Sequence, residues 1–438
     1  MSGCSNLTKK ERVKILVKYS APKGTHDILP PDTSLWQITE SMAKEIFEKY
    51  GFNEIRTPLI EHTEVFTRSI GQNTDIVEKE MYTFSDKAGR NITLRPEGTA
   101  SVVRCYIEHN LHNLPSPQKF FYTGAMFRYE RPQKGRFRQF HQIGVEAFGE
   151  AQPSLDAEII AMLSNFLKKI NLEGINFELN SIGCENCRPN YKKALTLFLE
   201  SKKQSFCPDC QRRYFSNPLR ILDCKVNRCV ELREGSPMIP DYLCNECKNH
   251  FSELKERLEF LGISFIVNPQ LVRGLDYYTK TTFEATSNHL GSQKAVAAGG
   301  RYDRLVQEFG GPPTPAIGFA IGMERLITLL KDRRKISMPV PDVYMATIGS
   351  DAEIEGIKIA ENLREKGYRI EMHYGGASLK SQLRKADRIG AHLALIIGDD
   401  ELKSGRIKWK DLNKKEQGEV EISNVSSILE TIKGDDSK

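Results

Sequence analysis

Two arginine-centred segments stand far apart in this chain, Phe127-Arg128-Tyr129-Glu130-Arg131 and Gly318-Phe319-Ala320-Ile321-Gly322-Met323-Glu324-Arg325. They read as the two halves of one polyphosphate clamp, so the fold must bring both to one place. Planar guanidinium forks suit phosphate oxygens better than lysine does, and a fixed cation stabilises charge that develops on a reacting phosphate. The pairing points to chemistry on ATP.

With 438 residues and 39% hydrophobic content the chain can bury more than one core, and its length predicts two or three domains. No apolar run approaches the roughly 20 residues needed to span a bilayer. The polar start from Met1 to Lys10 lacks the apolar stretch of a secretory signal, so a cytoplasmic protein without a membrane partner is expected. The net charge of +6 is modest. Basic residues nevertheless gather at Arg128, Arg131, Lys134, Arg136 and Arg138, and again from Lys380 to Lys415, where Arg384, Lys385, Arg388, Lys403, Arg406, Lys408 and Lys410 are only partly offset. Two separated basic regions suit a long polyanion, although a single charge run is more often a solvated face.

Apolar periods divide the chain. Leu35, Ile38, Met42, Ile46 and Phe47 follow a capping signal at Pro30 and predict a long helix to Gly51. Asn53 to Glu61 alternates towards a strand ending at Pro58, and Thr83-Phe84 and Ile92-Thr93-Leu94 flank a turn at Asp86 to Gly89. Lys119 to Tyr129 and Phe140 to Phe148 form a long hairpin, Pro153 to Lys169 is helical, and Phe177 to Ile182 returns as a strand. Helical patterns dominate a cysteine-rich insert to about Leu261. Ser264 to Val267, Thr281 to Thr286 and Ala295 to Ala298 are then expected strands, broken by Gly299-Gly300, and Pro312 to Pro315 precede a helix from Gly318 to Leu330. Lys331 to Pro341 reads as a linker. Beyond it, strand Val343 to Ile348, helix Ile354 to Lys366, strand Arg369 to Met372, helix Leu379 to Ile389 and strand His392 to Ile397 precede a final strand, hairpin and helix. That alternation implies a βαβ sheet.

Five segments occur in order: Thr93-Leu94-Arg95-Pro96-Glu97-Gly98-Thr99, Phe127-Arg128-Tyr129-Glu130-Arg131-Pro132-Gln133, Leu271-Val272-Arg273-Gly274-Leu275-Asp276-Tyr277-Tyr278, Gly299-Gly300-Arg301-Tyr302-Asp303, and Gly318 to Arg325. From about Ala21 to the C-terminus the chain resembles the class II histidyl-tRNA synthetases on these motifs, any one of which alone would be weak. The resemblance implies an α+β catalytic core with a mostly antiparallel sheet flanked by helices, a helical cysteine-rich insertion and a C-terminal α/β anticodon-binding domain. Its boundaries fall at an N-terminal extension 1–20, core 21–183 and 263–335, insertion 184–262, linker 336–341 and final domain 342–438. It implies a ligase that activates L-histidine with ATP to histidyl-adenylate and transfers histidine to the 3′ end of tRNA(His). Members of the family are homodimers, and the early helix and strand up to Pro58 occupy the place of the class II dimerisation motif.

The resemblance also gives residues their roles. Arg128 and Arg273 flank the α-phosphate as the catalytic cations, Arg325 meets the γ-phosphate, and Phe140 stacks on adenine. Mg²⁺ accompanies ATP and bridges the outgoing pyrophosphate. In the histidine pocket Glu97 and Thr99 take the α-amino group, Gln142 lies close to the substrate, and Glu146, Tyr277, Tyr278 and Tyr302 surround the imidazole. The spacing of Gly318, Gly322 and Arg325 is expected to let a helix approach the sheet. The basic loop from Glu130 to Gln139 suits the acceptor end of tRNA, and the last domain suits single-stranded anticodon bases. No side chain stands out as the base for transfer, and the adenylate phosphate is a candidate proton acceptor.

Eight of ten cysteines lie between Cys184 and Cys247. The pairs Cys184/Cys187, Cys207/Cys210, Cys224/Cys229 and Cys244/Cys247 suffice for one or two tetrahedral thiolate zinc sites, with metal-free thiols as the alternative, and spacing leaves their combination open. Cys4 reads as a tail thiol and Cys105 as a small buried hydrophobe. Two other classes share such a fold: the non-catalytic regulatory subunit of ATP phosphoribosyltransferase, a histidine sensor, and synthetase-like RNA-binding or kinase-regulating modules. Retention of Glu97, Arg128, Arg273 and Arg325 with a complete last domain argues against both.

Overall fold

The computed structural model describes residues 19–71, 74, 76–133, 135–290, 294–331 and 340–429. Cys4 with residues 1–18 of the extension, Lys134, and most of the expected linker lie outside the described residues. Two compact units divide at the linker, so the described residues group as 19–331 and 340–429.

In the first unit, helix α1 (Asp32–Lys49) buries Leu35, Trp36, Ala43, Ile46 and Phe47, the stripe its sequence carries at helical spacing. Where one strand was expected there are two short ones in different sheets, β1 (Asn53–Glu54) and β2 (Ile60–His62), because Pro58 between them has no N–H to continue a ladder. Helix α2 (Thr63–Ser69) precedes β3 (Tyr82–Ser85) and β4 (Asn91–Leu94), which join β2 in a small sheet ordered β2-β4-β3. Helix α3 (Thr99–Glu108) leads to the hairpin of β5 (Gln118–Phe127) and β6 (Gln139–Phe148), then to α4 (Pro153–Lys169) and β7 (Ile175–Ser181). The insertion contributes α5 (Arg188–Glu200), α6 (Pro208–Ser216), α7 (Asn227–Leu232) and α8 (Asn245–Phe260). The chain returns through β8 (Phe265–Val267), β9 (Thr279–Ser287), β10 (Ala295–Arg301), α9 (Leu305–Glu308), β11 (Ala316–Gly322) and α10 (Met323–Lys331).

Among the described residues the large sheet runs β1-β5-β6-β11-β10-β9-β7-β8. Its inner joins are antiparallel and only the two edge pairs, β1 with β5 and β7 with β8, are parallel. Odd-numbered positions of β6, Ile143, Val145 and Ala147, pack with Phe47, Ile159, Phe166 and Leu254 of α1, α4 and α8. Even-numbered positions therefore face the other side of the sheet.

Glycines separate expectation from structure in two places. Residues 318–322, expected to be helical, belong to β11, and the helix starts only at Met323. The four-residue glycine spacing that suits helix packing is also an even number, and on a strand it puts Gly318 and Gly322 on one face. Gly318 lies opposite Glu146, whose carboxylate occupies the space a Cβ would fill. The second pair, Gly299-Gly300, does not break its strand. Strand β10 continues to Arg301, and Gly299 leaves room for the Gly318 carbonyl, the Phe319 Cβ and the Phe283 ring. Cys105 is half-buried rather than fully enclosed.

The second unit orders its sheet β13-β12-β14-β15-β16, from β12 (Val343–Thr347), β13 (Ile370–Met372), β14 (Leu393–Ile397), β15 (Arg406–Asp411) and β16 (Gln417–Glu421). Helices α11 (Ser350–Glu365), α12 (Leu379–Arg388) and α13 (Asp399–Ser404) connect them, and a last helix begins at 425–429. Val343 and Met345 pack with Ile359 and Leu363 of α11, whereas the alternate Tyr344 and Ala346 pack with Ala386 of α12. Both faces of β12 are thus covered, as its parallel pairing with β13 and β14 demands. Lys380, Arg384 and Arg388 are exposed at four-residue intervals on α12 and form a basic stripe.

Candidate active site

The even-numbered face of β6 opens into a cavity of about 600 Å³. Its floor is made by Gly318, Ala320 and Gly322 of β11 with Ala298 of β10, residues too small to fill it. Arg128, Phe140, Arg273, Arg325, Glu97, Thr99, Gln142, Glu146, Tyr277, Tyr278 and Tyr302 all line this one cavity. Every residue that the sequence pointed to for ATP and histidine is brought together there.

Three guanidinium groups occupy one part of the cavity. Arg128, just past β5, donates from Nε to the Pro96 carbonyl (2.9 Å), lies 5.2 Å from the centroid of Phe140, and keeps 3.9 Å from Glu130. Glu130 pairs more closely with Arg136 (3.1 Å), so the ion pair that Arg128 makes with its sequence neighbour is the looser of the two. Arg325, in the first turn of α10, donates to the carbonyls of Gly135 (3.2 Å) and Ala295 (2.9 Å). Burial depresses its pKa, and the neighbouring charges of Arg136 and Arg128 depress it further. Arg273 forms an ion pair with Glu284 of β9, lies 5.6 Å from the Tyr278 ring, and leaves its buried Nε without a protein partner among the described residues. Cations gathered against their mutual repulsion make an anion-binding region.

Carboxylates and hydroxyls occupy the other part. Glu97 accepts from the backbone N–H groups of Thr99 (2.7 Å) and Ala100 (2.8 Å), which fixes it at the start of α3. Its pKa is raised by burial against the opposing effect of those bonds. Glu146 accepts from the hydroxyls of Thr99 (2.7 Å), Tyr122 (3.3 Å) and Tyr302. Burial pushes its pKa up to about 8, the charge of Glu97 adds to the rise, and the hydroxyl bonds restrain it. The rings of Tyr277 and Tyr278 are 4.7 Å apart, with Tyr302 5.6 Å from Tyr277, and the buried Oε1 of Gln142 has no protein partner among the described residues. A slot with aromatic walls, two carboxyls and spare acceptors can take a flat heterocycle bearing N–H groups.

Among the lining residues that escaped the sequence reading are Tyr122, Glu284, Glu324 and Asp223. Tyr122 sits in an aromatic run that reads as core. Glu284 stands in a β-branched strand, where its alternation with Thr282 and Thr286 was the available signal. Glu324 accepts from the His141 backbone N–H (2.9 Å) and lies 3.0 Å from its Nδ1, tying α10 to β6. Asp223 reaches the cavity from the insertion, and nothing in its sequence surroundings announces that.

The eight insertion cysteines resolve into two groups, Cys184, Cys187, Cys244 and Cys247, and Cys207, Cys210, Cys224 and Cys229, each with sulfurs within 4.8 Å of one another. The Sγ separations Cys184–Cys187 (3.6 Å), Cys184–Cys244 (3.9 Å) and Cys207–Cys224 (3.9 Å) fit the edge of about 3.8 Å that a tetrahedron of thiolates around zinc requires. Backbone N–H groups of Cys244 and Cys207 donate to the sulfurs of Cys187 (3.1 Å) and Cys229 (3.3 Å), an outer-shell bond that suits a metal-bound thiolate. The donor sets fit zinc in both groups.

A mostly antiparallel sheet carrying a hairpin arginine and a second arginine on the helix behind its central strand, both facing one cavity, is the catalytic core of a class II aminoacyl-tRNA synthetase. Comparison with known proteins narrows the class. The chain belongs to the histidyl-tRNA synthetase family, whose model matches residues 24–205 and 219–326. An anticodon binding domain model matches residues 342–432. The protein named histidine–tRNA ligase in Thermodesulfovibrio yellowstonii is 54% identical over 413 residues, 94% of this chain and 98% of the relative. Its namesake in Halothermothrix orenii is 52% identical over 415 residues, 94% and 99% of the two chains. The crystal structure of apo S. aureus histidyl-tRNA synthetase matches with TM-score 0.79 at 37% identity, over 94% of this chain and 99% of that one. A structure described as an ATP phosphoribosyltransferase regulatory subunit/histidyl-tRNA synthetase from Bacillus halodurans C shares the fold at 21% identity and TM-score 0.64, over 87% and 98%. Among the described residues no helix is long and apolar enough to cross a membrane.

Proposed function

We propose that the cavity condenses L-histidine with ATP to histidyl-adenylate and then passes histidine to the 3′ end of tRNA(His). The convergence of Arg128, Arg273 and Arg325 beside the Glu146 slot carries this reading. MgATP is the substrate, with Phe140 against adenine and Arg325 at the γ-phosphate. A histidine carboxylate oxygen attacks the α-phosphorus, the bond to the bridging oxygen breaks, and pyrophosphate leaves. Arg128 and Arg273 compensate the charge that gathers on the phosphorus oxygens, which a fixed cation stabilises more in the transition state than before it. Glu97 with Thr99 holds the ammonium group and Gln142 the substrate beside it. Glu146, among Tyr277, Tyr278 and Tyr302, accepts an imidazole N–H beside the three hydroxyls it already holds, so a competitor lacking that N–H forfeits the added bond.

In the second step the terminal ribose hydroxyl attacks the adenylate carbonyl, AMP departs, and a phosphate oxygen of the adenylate takes the hydroxyl proton. We assign residues 21–183 and 263–335 to the core, 184–262 to an insertion holding structural Zn²⁺, and 336–341 to a linker. Residues 342–438, with the α12 stripe, read the anticodon. A cytoplasmic homodimer is the working form. Pyrophosphate exchange with each amino acid in turn, followed by tRNA charging, tests the reading. Exchange is expected with L-histidine alone, and absence of histidine-dependent exchange overturns it in favour of a histidine-sensing paralogue.

A further inference from the structure

The segment from Leu271 to Lys280 carries Arg273, Tyr277 and Tyr278, yet much of it has no regular ladder: β9 begins only at Thr279. Its backbone is held from outside by the insertion. Arg220 donates to the Arg273 carbonyl (3.0 Å), Asn217 Nδ2 to the Asp276 carboxylate (2.9 Å), and Arg188 to the Tyr278 carbonyl. Each of these donors sits next to a cysteine group. Arg188 directly follows Cys187 and opens α5. Asn217 and Arg220 lie in the turn between α6, which carries Cys210, and Cys224.

The two groups differ in topology. Cys184 and Cys187 follow β7, and Cys244 and Cys247 open α8, so the first group closes the two ends of the insertion on each other. The second group lies wholly inside the insertion and ties α6 and α7 to the turn Pro218–Asp223. That turn is further gripped by Arg233, one residue past α7, which donates to the carbonyls of Ile221 (3.1 Å), Leu222 and Cys224 (3.1 Å). Short helices of six to nine residues hold shape poorly by themselves, and an ion held by four thiolates would supply the missing rigidity. The second group also straddles the only stretch between the two parts of the histidyl-tRNA synthetase match, 206–218, which contains Cys207 and Cys210.

We infer that the insertion binds two zinc ions and that they set the active-site segment at two points: the ion at Cys207, Cys210, Cys224 and Cys229 places Arg273 through Arg220, and the ion at Cys184, Cys187, Cys244 and Cys247 places Tyr278 through Arg188. Arg188 and Arg220 are positioning residues. Binding is accompanied by loss of the thiol protons, so each ion is held as a zinc tetrathiolate. Loss of the second ion slows adenylate formation, whereas loss of the first weakens histidine binding. The inference rests on the proposed function for its kinetic half only; metal content tests the other half without any histidine chemistry.

Elemental analysis of full-length protein purified without chelator is expected to give two zinc per chain, falling to one in Cys187→Ser and in Cys210→Ser. In pyrophosphate exchange Cys210→Ser is expected to lower kcat at least ten-fold with little change in the KM for histidine, and Cys187→Ser to raise that KM at least ten-fold. Arg220→Ala keeps both zinc ions and reproduces the kcat loss, and Arg220→Lys, which retains a donor, recovers part of it. This pair carries the test if a cysteine variant does not fold. Fewer than two zinc per chain, equal effects of the two cysteine variants, or wild-type kcat in Arg220→Ala overturns the inference. A wild-type protein with two zinc ions and no exchange would instead overturn the proposed function.

Discussion

Replacing Arg273 by Gln, alone and together with Glu284→Gln, separates a catalytic cation from a structural ion pair. The two side chains pair at 16% and 21% exposure, so the bond is shielded but not sealed. Removing one fixed donor aimed at developing negative charge costs about 2.7–4 kcal/mol of transition-state stabilisation, or roughly 10²–10³ in kcat. Arg273→Gln also leaves Glu284 in the cavity wall without its counter-charge, a loss bounded by the ~3–5 kcal/mol seen when fully buried pairs are broken. Burial already raises the Glu284 pKa and Arg273 restrains it, so the single variant raises it further. A carboxyl whose folded pKa exceeds its unfolded value binds more protons when folded, so unfolding free energy falls as pH rises through that window. The single variant is therefore expected to lose stability increasingly from mildly acidic to neutral pH, by urea unfolding. The double variant removes the stranded carboxylate and recovers the stability but not the exchange rate. If it regains more than about a tenth of wild-type kcat, Arg273 serves the fold rather than the phosphate, and the transition-state argument fails.

Glu146→Gln is expected to raise the KM for histidine about 2–13-fold, the worth of one hydrogen bond to a neutral group of about 0.5–1.5 kcal/mol, with the KM for ATP nearly unchanged. The folded chain holds a Glu146 proton between the ordinary 4.5 and about 8 that the unfolded chain releases, so its contribution to stability is complete below 4.5 and is lost as pH rises towards 8. Urea midpoints measured across that range should fall less steeply in the Gln variant than in wild type. Asp156→Ala breaks one buried ion pair of Arg301, which keeps Asp303 (3.0 Å), and strips Thr281 of its acceptor (2.6 Å), and should lower unfolding free energy by about 1–3 kcal/mol. Removing residues 342–438 should depress tRNA charging far more than pyrophosphate exchange, and equal loss of both would contradict anticodon reading by that unit.

Much of the cavity was legible because its residues sit in short contiguous motifs. Glu97 and Thr99 flank a glycine at a helix start, and Tyr277 and Tyr278 follow Arg273 within one segment. Glu284 shares a strand face with Thr282 and Thr286, which signals polarity but not what that face meets, and Tyr122, a hydroxyl in an aromatic run, carries no local sign at all. Strand β11 defeated periodicity for a physical reason: its glycines and alanines are small because a ligand cavity lies over them, and small residues remove the alternation that marks a strand. The pairing of the four cysteine doublets was equally hidden, because it depends on which helix ends meet in space.

The central place of β11 governs when this protein can finish folding. As the chain leaves the ribosome, β5 and β6 emerge as a hairpin with one edge bare, and the residues that cover that edge, 316–322, come only after the whole cysteine-bearing insertion has been made. Closure of so distant a contact is slow, and an uncovered strand edge invites pairing with other chains. The interval lasts for the synthesis of the whole insertion, so the bare edge of β6 waits longer than any other in the sheet's centre.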